Sequence, residues 1–333
     1  MATVRSGDIV QGKAVIEQLD VRDLQAGTHP FWFQASSNAI AQHYLLPVTV
    51  FKGEVEGPRV MITAGVHGDE LNGVLASHQL IRALENVTIK GTITIVSMIN
   101  LPGMLHHSRD FHSSDPDASP SNLNRFFPGN ATGDAANRLI DSVWSKLLKP
   151  NADCAIDLHT QTSGAVYPLY VFADFRLPEA LHMARLMNPD CILDDPGDAG
   201  VLETTWNQSL VPSITVEVGM GKVTQQSLID RSVDGMQNIL KYIGVIDGQP
   251  SAPTLECKEG KTITSVRARQ GGFVLPQVEL LSDVQAGDVV ALQYDAFGQL
   301  IETYSAPNEG KVLSFNVDSM REPGALVVRL ISD

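Results

Sequence analysis

The chain has 333 residues, a formal net charge of -14, 43% hydrophobic and 19% charged residues, 27 glycines and 18 prolines. This describes a globular protein rich in turns and excludes a disordered one, while acidity without any basic cluster opposes a nucleic-acid partner. Three scattered cysteines, Cys154, Cys191 and Cys257, with no signal-like leader and no bilayer-length apolar stretch, predict a cytoplasmic protein without disulfides or a membrane partner.

In chain order, residues 13–20 and 45–52 read as strands of an edge region. "RVMITAG", 59–65, is a near-continuous apolar run ending in glycine, the pattern of a buried central strand. Leu71, Val74, Leu75, Ile81 and Leu84 then keep helical spacing, and "GTITIVSMIN", 91–100, supplies another buried strand. The polar stretch from His106 to Asn122 is too long for an ordinary connection, which marks it as functional. A helix over 134–148 leads to the strand "DCAIDLH", 153–159, and "YPLYVFA" and "PSITVEVG" are further strands, with helices near 178–187 and 225–242. The alternation predicts an α/β fold with a mixed, mostly parallel sheet and helices on both faces.

Beyond about residue 250 the texture changes to short strands punctuated by Gly, Pro and Asp. This divides the chain into residues 1–250 and a β-rich segment, 251–333. Phe273, Val274, Leu275, Val289, Val290 and Leu292 are its candidate core. The segment looks like the barrel-sandwich hybrid of biotinyl and lipoyl carriers, but "YDAFGQLIE" stands where a swinging lysine would sit. No attached prosthetic group is expected.

Open α/β sheets bind ligands at the carboxyl ends of their strands. Three strands end in "GVHGDE", "DLHT" and "TVEVG", so His67 with Glu70, His159 and Glu217 converge on one edge of the sheet. Two imidazoles and a carboxylate are the ligand set of a catalytic zinc. Gly65 and Gly68 permit the tight turn that lets His67 and Glu70 reach one ion. Each residue alone has an ordinary reading, as a bonded core histidine or a carboxylate at a helix start; it is their joint placement that points to a metal. Asp157 is placed to orient His159 or to bond backbone. His106, His107 and His112 lie in the polar loop, facing solvent or substrate, and Asp194, Asp195 and Asp198 read as turn formers.

"HGDE", "NLNRFFPG" (122–129), "DLHT" and "TVEVG", in that order, resemble the succinylglutamate desuccinylase and aspartoacylase family, itself similar to zinc carboxypeptidases. The resemblance covers roughly 40–245, and the carboxyl-terminal segment resembles the β-rich domain such deacylases carry. It implies one Zn²⁺ per chain held by His67, Glu70 and His159, with Glu217 as general base. It also implies that Asn124 and Arg125 hold the substrate carboxylate and that Arg109 polarises the scissile carbonyl. The expected reaction is hydrolysis of an N-acylated small amino acid, an anionic substrate, with a homo-oligomer compatible. A carboxypeptidase acting on short peptides and a metal-free binding module that kept the fold are the alternatives.

Overall fold

The computed structural model describes residues 2–333. The first part of the chain forms β1 (Val4–Val10), β2 (Lys13–Gln18), β3 (Gly27–Ser37), β4 (His43–Lys52), β5 (Val55–Ala64), α1 (Leu71–Leu84), β6 (Lys90–Val96), α2 (Leu101–Leu105) and α3 (Ala135–Val143). Next come β7 (Cys154–Gln161), β8 (Ala165–Val166), β9 (Leu169–Ala173), α4 (Pro178–Leu186), β10 (Cys191–Asp194), α5 (Leu202–Gln208), β11 (Ser213–Met220) and α6 (Gln226–Ile243). The last strands are β12 (Lys258–Gly260), β13 (Thr262–Arg267), β14 (Gly272–Pro276), β15 (Asp283–Val284), β16 (Val289–Tyr294), β17 (Leu300–Ser305), β18 (Gly310–Asn316), β19 (Met320–Arg321) and β20 (Leu326–Ser332).

Eleven strands make one mixed sheet in the order β1-β2-β3-β4-β6-β5-β7-β11-β9-β10-β12. Its centre, β6-β5-β7-β11, is parallel throughout. Both faces of this centre are covered, which is why β5 and β7 read as unbroken apolar runs and not as alternating ones. Ile62, Ile156 and Ile214 face a core closed by α1, α4 and α6. Met61 and Ala155, from the other face, meet Leu139 and Ile140 of α3 and Leu202 and Trp206 of α5. Among the described residues no helix is long and apolar enough to cross a membrane.

The amino-terminal strands differ from the edge region expected. β4 lies inside the sheet, beside β6, and β3, β2 and β1 extend the sheet beyond it. β3 escapes a periodicity reading because Gly27, Thr28, His29 and Pro30 give its first half the look of a turn. The strand expected over 91–100 ends at Val96, because Asn100 turns its side chain to accept from Gly103 N at 2.9 Å and caps α2.

The carboxyl-terminal strands form two antiparallel sheets, β13-β20-β18-β15 and β17-β16-β14-β19. Val274, Val290, Tyr304, Val312 and Val328 fill the space between them. Phe273, Leu275 and Val289 are 42–47% exposed and stand on the outer surface, because the two-residue pleat sends Val274 and Val290 inward. The β16–β17 hairpin carries Phe297 at its exposed tip. Strand pairing stitches this β-rich part to the preceding residues at two places. β12 pairs with β10, and β8, in the loop after β7, pairs with β18. Tyr167, Tyr170 and Cys191 share a buried cluster with Leu313 and Ile331 across the seam.

Candidate metal centre and active site

The parallel strands β5, β7 and β11 deliver their carboxyl ends to one edge, and the register places Glu217 directly beside His159. After β5, Gly65 takes φ +68°, and a Cβ there would lie 2.2 Å from Met104 Cε. A Cβ on Gly68 would fall 2.1 Å from Gly103 C, so only glycine lets the 103–109 loop close over the turn. Gly68 N donates to Arg109 O at 3.2 Å and fixes that approach.

Glu70 starts α1 but does not cap it with its side chain. Instead its carboxylate turns to the imidazoles. His67 Nδ1 lies 2.9 Å from Oε1, and His159 Nδ1 lies 2.8 Å from Oε2. The two Nδ1 atoms are 3.2 Å apart. All three side chains are buried, and their ligand atoms lie within 4.8 Å of one another. Two ligands about 2.1 Å from one tetrahedral ion stand about 3.4 Å apart, so this donor set fits a divalent metal with modest opening.

Surrounding groups fix the orientation of each ligand. Asp157 Oδ2 accepts from His159 Nε2 at 2.7 Å, and Asp157 Oδ1 accepts from Thr63 Oγ1 at 2.6 Å. This commits Nε2 to its proton and leaves the Nδ1 lone pair able to bind a metal ion. His67 Nε2 meets Asn122 Oδ1 at 2.8 Å, which gives His67 the same arrangement. Thr160 N donates to Glu70 Oε2 at 3.1 Å. Asn122 and Thr160 lie within quoted motifs, yet neither residue type advertises such a role; the signal was their adjacency to Asn124 and His159.

The electrostatics follow from burial and charge together. Burial pushes the Glu70 carboxyl up, but His67 and His159 outweigh it and hold the group below the usual carboxylate range. His159 is pulled down by burial and driven well above its ordinary value by Asp157 and Glu70. Glu217 is pushed up to about 8, first by burial and then by the neighbouring Glu70 charge, against the opposing pull of His159 and Arg109. Its Oε2 is buried without a hydrogen-bond partner, a costly arrangement that persists at sites of proton chemistry.

Arg109 comes to the same place, with Nη1 on Glu70 Oε1 and its side chain one-third exposed. Asn124 and Arg125 sit further out. Asn124 is buried and its Oδ1 accepts from Leu202 N at 2.8 Å, while exposed Arg125 folds Nη1 onto Asn124 O at 2.6 Å. Asn122 links this pair to the metal centre, since its Oδ1 also accepts from Asn124 N at 3.0 Å. The His106 and His112 rings meet at a tilt of 41°, with centroids 4.8 Å apart, in the loop beside the site.

Residues 56–243 match the model of the succinylglutamate desuccinylase/aspartoacylase catalytic domain. The chain is 28% identical over 263 residues to N-alpha-acetyl-L-2,4-diaminobutyric acid deacetylase of Halomonas elongata, covering 75% of this chain and 74% of that protein. The fold is similar to the product-bound ectoine utilization protein EutE (DoeB) from Ruegeria pomeroyi, with a TM-score of 0.81 at 22% identity over 93% of this chain and 97% of that one. It is equally similar to a succinylglutamate desuccinylase/aspartoacylase from Rhodobacter sphaeroides, TM-score 0.81 at 20% identity, covering 95% and 97%. A catalytic-domain match spanning more than half the chain, on a sheet whose strand ends assemble this buried His-Glu-His cluster, makes the chain a member of the succinylglutamate desuccinylase/aspartoacylase family.

Proposed function

We infer that the protein is a zinc-dependent amidohydrolase that removes an acyl group, of acetyl or succinyl type, from a small amino acid. The observation that carries this reading is a buried three-ligand cluster beside a buried carboxylate with an unsatisfied oxygen. The name of the Halomonas relative supports a deacetylase of amino-acid derivatives. Zn²⁺ bound by His67, Glu70 and His159 would supply Lewis-acid activation of water and carbonyl.

The chain's own residues divide the remaining work. Glu217, with its raised proton affinity, takes a proton from the attacking water and returns it to the leaving nitrogen. Arg109 offers a guanidinium to the oxyanion that develops on the carbonyl. Arg125 binds the substrate carboxylate through the planar fork that lysine lacks, and Asn124 donates to it through its amide nitrogen. Residues 1–250 carry this chemistry and 251–333 brace the loop after β7, in a cytoplasmic enzyme that needs no attached cofactor besides the ion.

The test is a hydrolysis screen of zinc-loaded protein over N-acetyl, N-succinyl and N-formyl amino acids, read as release of free amine. Turnover of at least one class is the expected result. No turnover of any of them by protein that holds one zinc per chain contradicts the reading.

A further inference from the structure

The polar loop beside the metal centre carries three histidines, His106, His107 and His112, and the mechanism above uses none of them. His107 takes φ +50° and lines a cleft with Asp69 and Lys222. His106 and His112 lie against each other instead, with ring centroids 4.8 Å apart at a tilt of 41°. His112 Nε2 is buried without a hydrogen-bond partner, and among the described residues neither ring makes a hydrogen bond or an ion pair. A buried imidazole nitrogen left unsatisfied is costly, and it points to a ligand or a role.

The backbone around this pair is fixed at three places. His106 N and Ser108 N both donate to Gly103 O, at 3.1 and 2.9 Å. Arg109 O accepts from Gly68 N at 3.2 Å and from Asn100 Nδ2 at 3.3 Å. Phe111 is buried and exchanges two backbone bonds with Ser121. The fold itself therefore brings the two imidazoles together, which lowers the ordering cost of a ligand that needs both.

A neutral imidazole keeps one nitrogen lone pair, so two of them can share a cation. With metal–nitrogen bonds of about 2.0–2.1 Å each ring centroid stands about 3.2 Å from the ion, and centroids 4.8 Å apart then subtend about 100°, between the octahedral and tetrahedral angles. Among the described residues no third His, Cys, Asp or Glu joins the pair in a three-ligand group. Water completes the coordination, and binding is weaker than at the buried centre.

We propose that His106 and His112 form a second, weaker site for a borderline transition-metal ion such as zinc, nickel or copper, and not for magnesium or calcium, which prefer oxygen ligands. Arg109 lies three residues from each histidine, so the ion bridges the segment that carries it. Arg109 Nη1 rests on Glu70 Oε1, and its service to the oxyanion requires the guanidinium to turn toward substrate. An ion across His106 and His112 holds that segment still, and excess metal lowers turnover. This effect on rate rests on the deacylase reading, whereas the binding does not.

Calorimetric titration of zinc into protein that already holds one zinc per chain tests the site without any turnover. One further ion per chain is the expected result, with no such event in a magnesium titration. His106→Gln and His112→Asn should each keep the first ion and weaken the second event by at least about 10-fold, the lower figure for disturbing even a supporting group of a metal site. His106 is exposed, so its variant guards against a folding defect in His112→Asn. With any N-acyl amino acid that is turned over, the same excess of zinc should reduce kcat/KM of the wild type and leave each variant at its own rate. Absence of a second event, or one of equal affinity in both variants, overturns the proposal. A second event lost in the variants, with no change in the wild-type rate, supports the site and overturns its hold on Arg109. Failure of every substrate, with the second event present and lost in the variants, counts against the deacylase reading alone.

Discussion

Glu217 shows how one residue's environment sets its chemistry. A glutamate at the end of a central strand would titrate near 4.3 in water, but burial and the Glu70 charge push it up to about 8. In its proposed role as general base Glu217 works deprotonated, so activity is expected to fall as pH drops through the folded value. A cation at His67, Glu70 and His159 opposes the Glu70 contribution and draws that value down. The acid limb of kcat/KM is therefore expected between the ordinary carboxylate value, about 4.3, and 8. A pH–rate profile whose limb sits at the ordinary value would contradict the environment derived for Glu217.

At the scale of elements, the turn from β5 into α1 brings together His67 and Glu70, the two proposed ligands nearest in sequence, and glycine makes it possible. Gly68→Ala places a methyl 2.1 Å from Gly103 C, and the atoms it meets are backbone. The 103–109 loop must shift, at a cost of about 1–3 kcal/mol typical of overpacking, carrying Arg109 away from Glu70. The expected outcome is a lower urea midpoint together with loss of most activity, and unchanged values of both would show that the loop is not held by this contact. Much of this was legible in the sequence. "RVMITAG", "DCAIDLH" and "PSITVEVG" declare buried strands by composition, and strands of a parallel sheet put their carboxyl ends together. The strand β3 and helix α5 were not legible, because Pro30 and the short polar run "LETTWNQ" obey tertiary contacts more than local pattern.

For the whole molecule, the β-rich part is fastened to the catalytic sheet where the loop after His159 passes. Tyr167 and Tyr170 pack with Leu313 and Ile331, and Tyr167 Oη accepts from Arg329 Nη1 at 2.9 Å. Ile331→Ala should cost about 2–5 kcal/mol in unfolding free energy, measured in urea, and should lower activity by loosening the 160–168 segment. Full stability in that variant would mean that the two parts are joined less tightly than the packing indicates. No sequence pattern announces this seam, since its residues are distributed over both parts of the chain and are brought together by the pairing of β8 and β12 with strands of the other part.

The central claim is that three residues hold the metal and a fourth moves the proton. Zinc content and kcat of Glu217→Gln, measured together and beside His159→Ala, test it most directly. With His67, Glu70 and His159 intact, Glu217→Gln should keep one zinc per chain while kcat falls by about 10²- to 10⁴-fold, the contribution of general acid–base work. His159→Ala should lose both zinc and activity. If Glu217→Gln retained more than about a tenth of kcat, well above the expected remainder, Glu217 would be a structural carboxylate and the proton would move elsewhere.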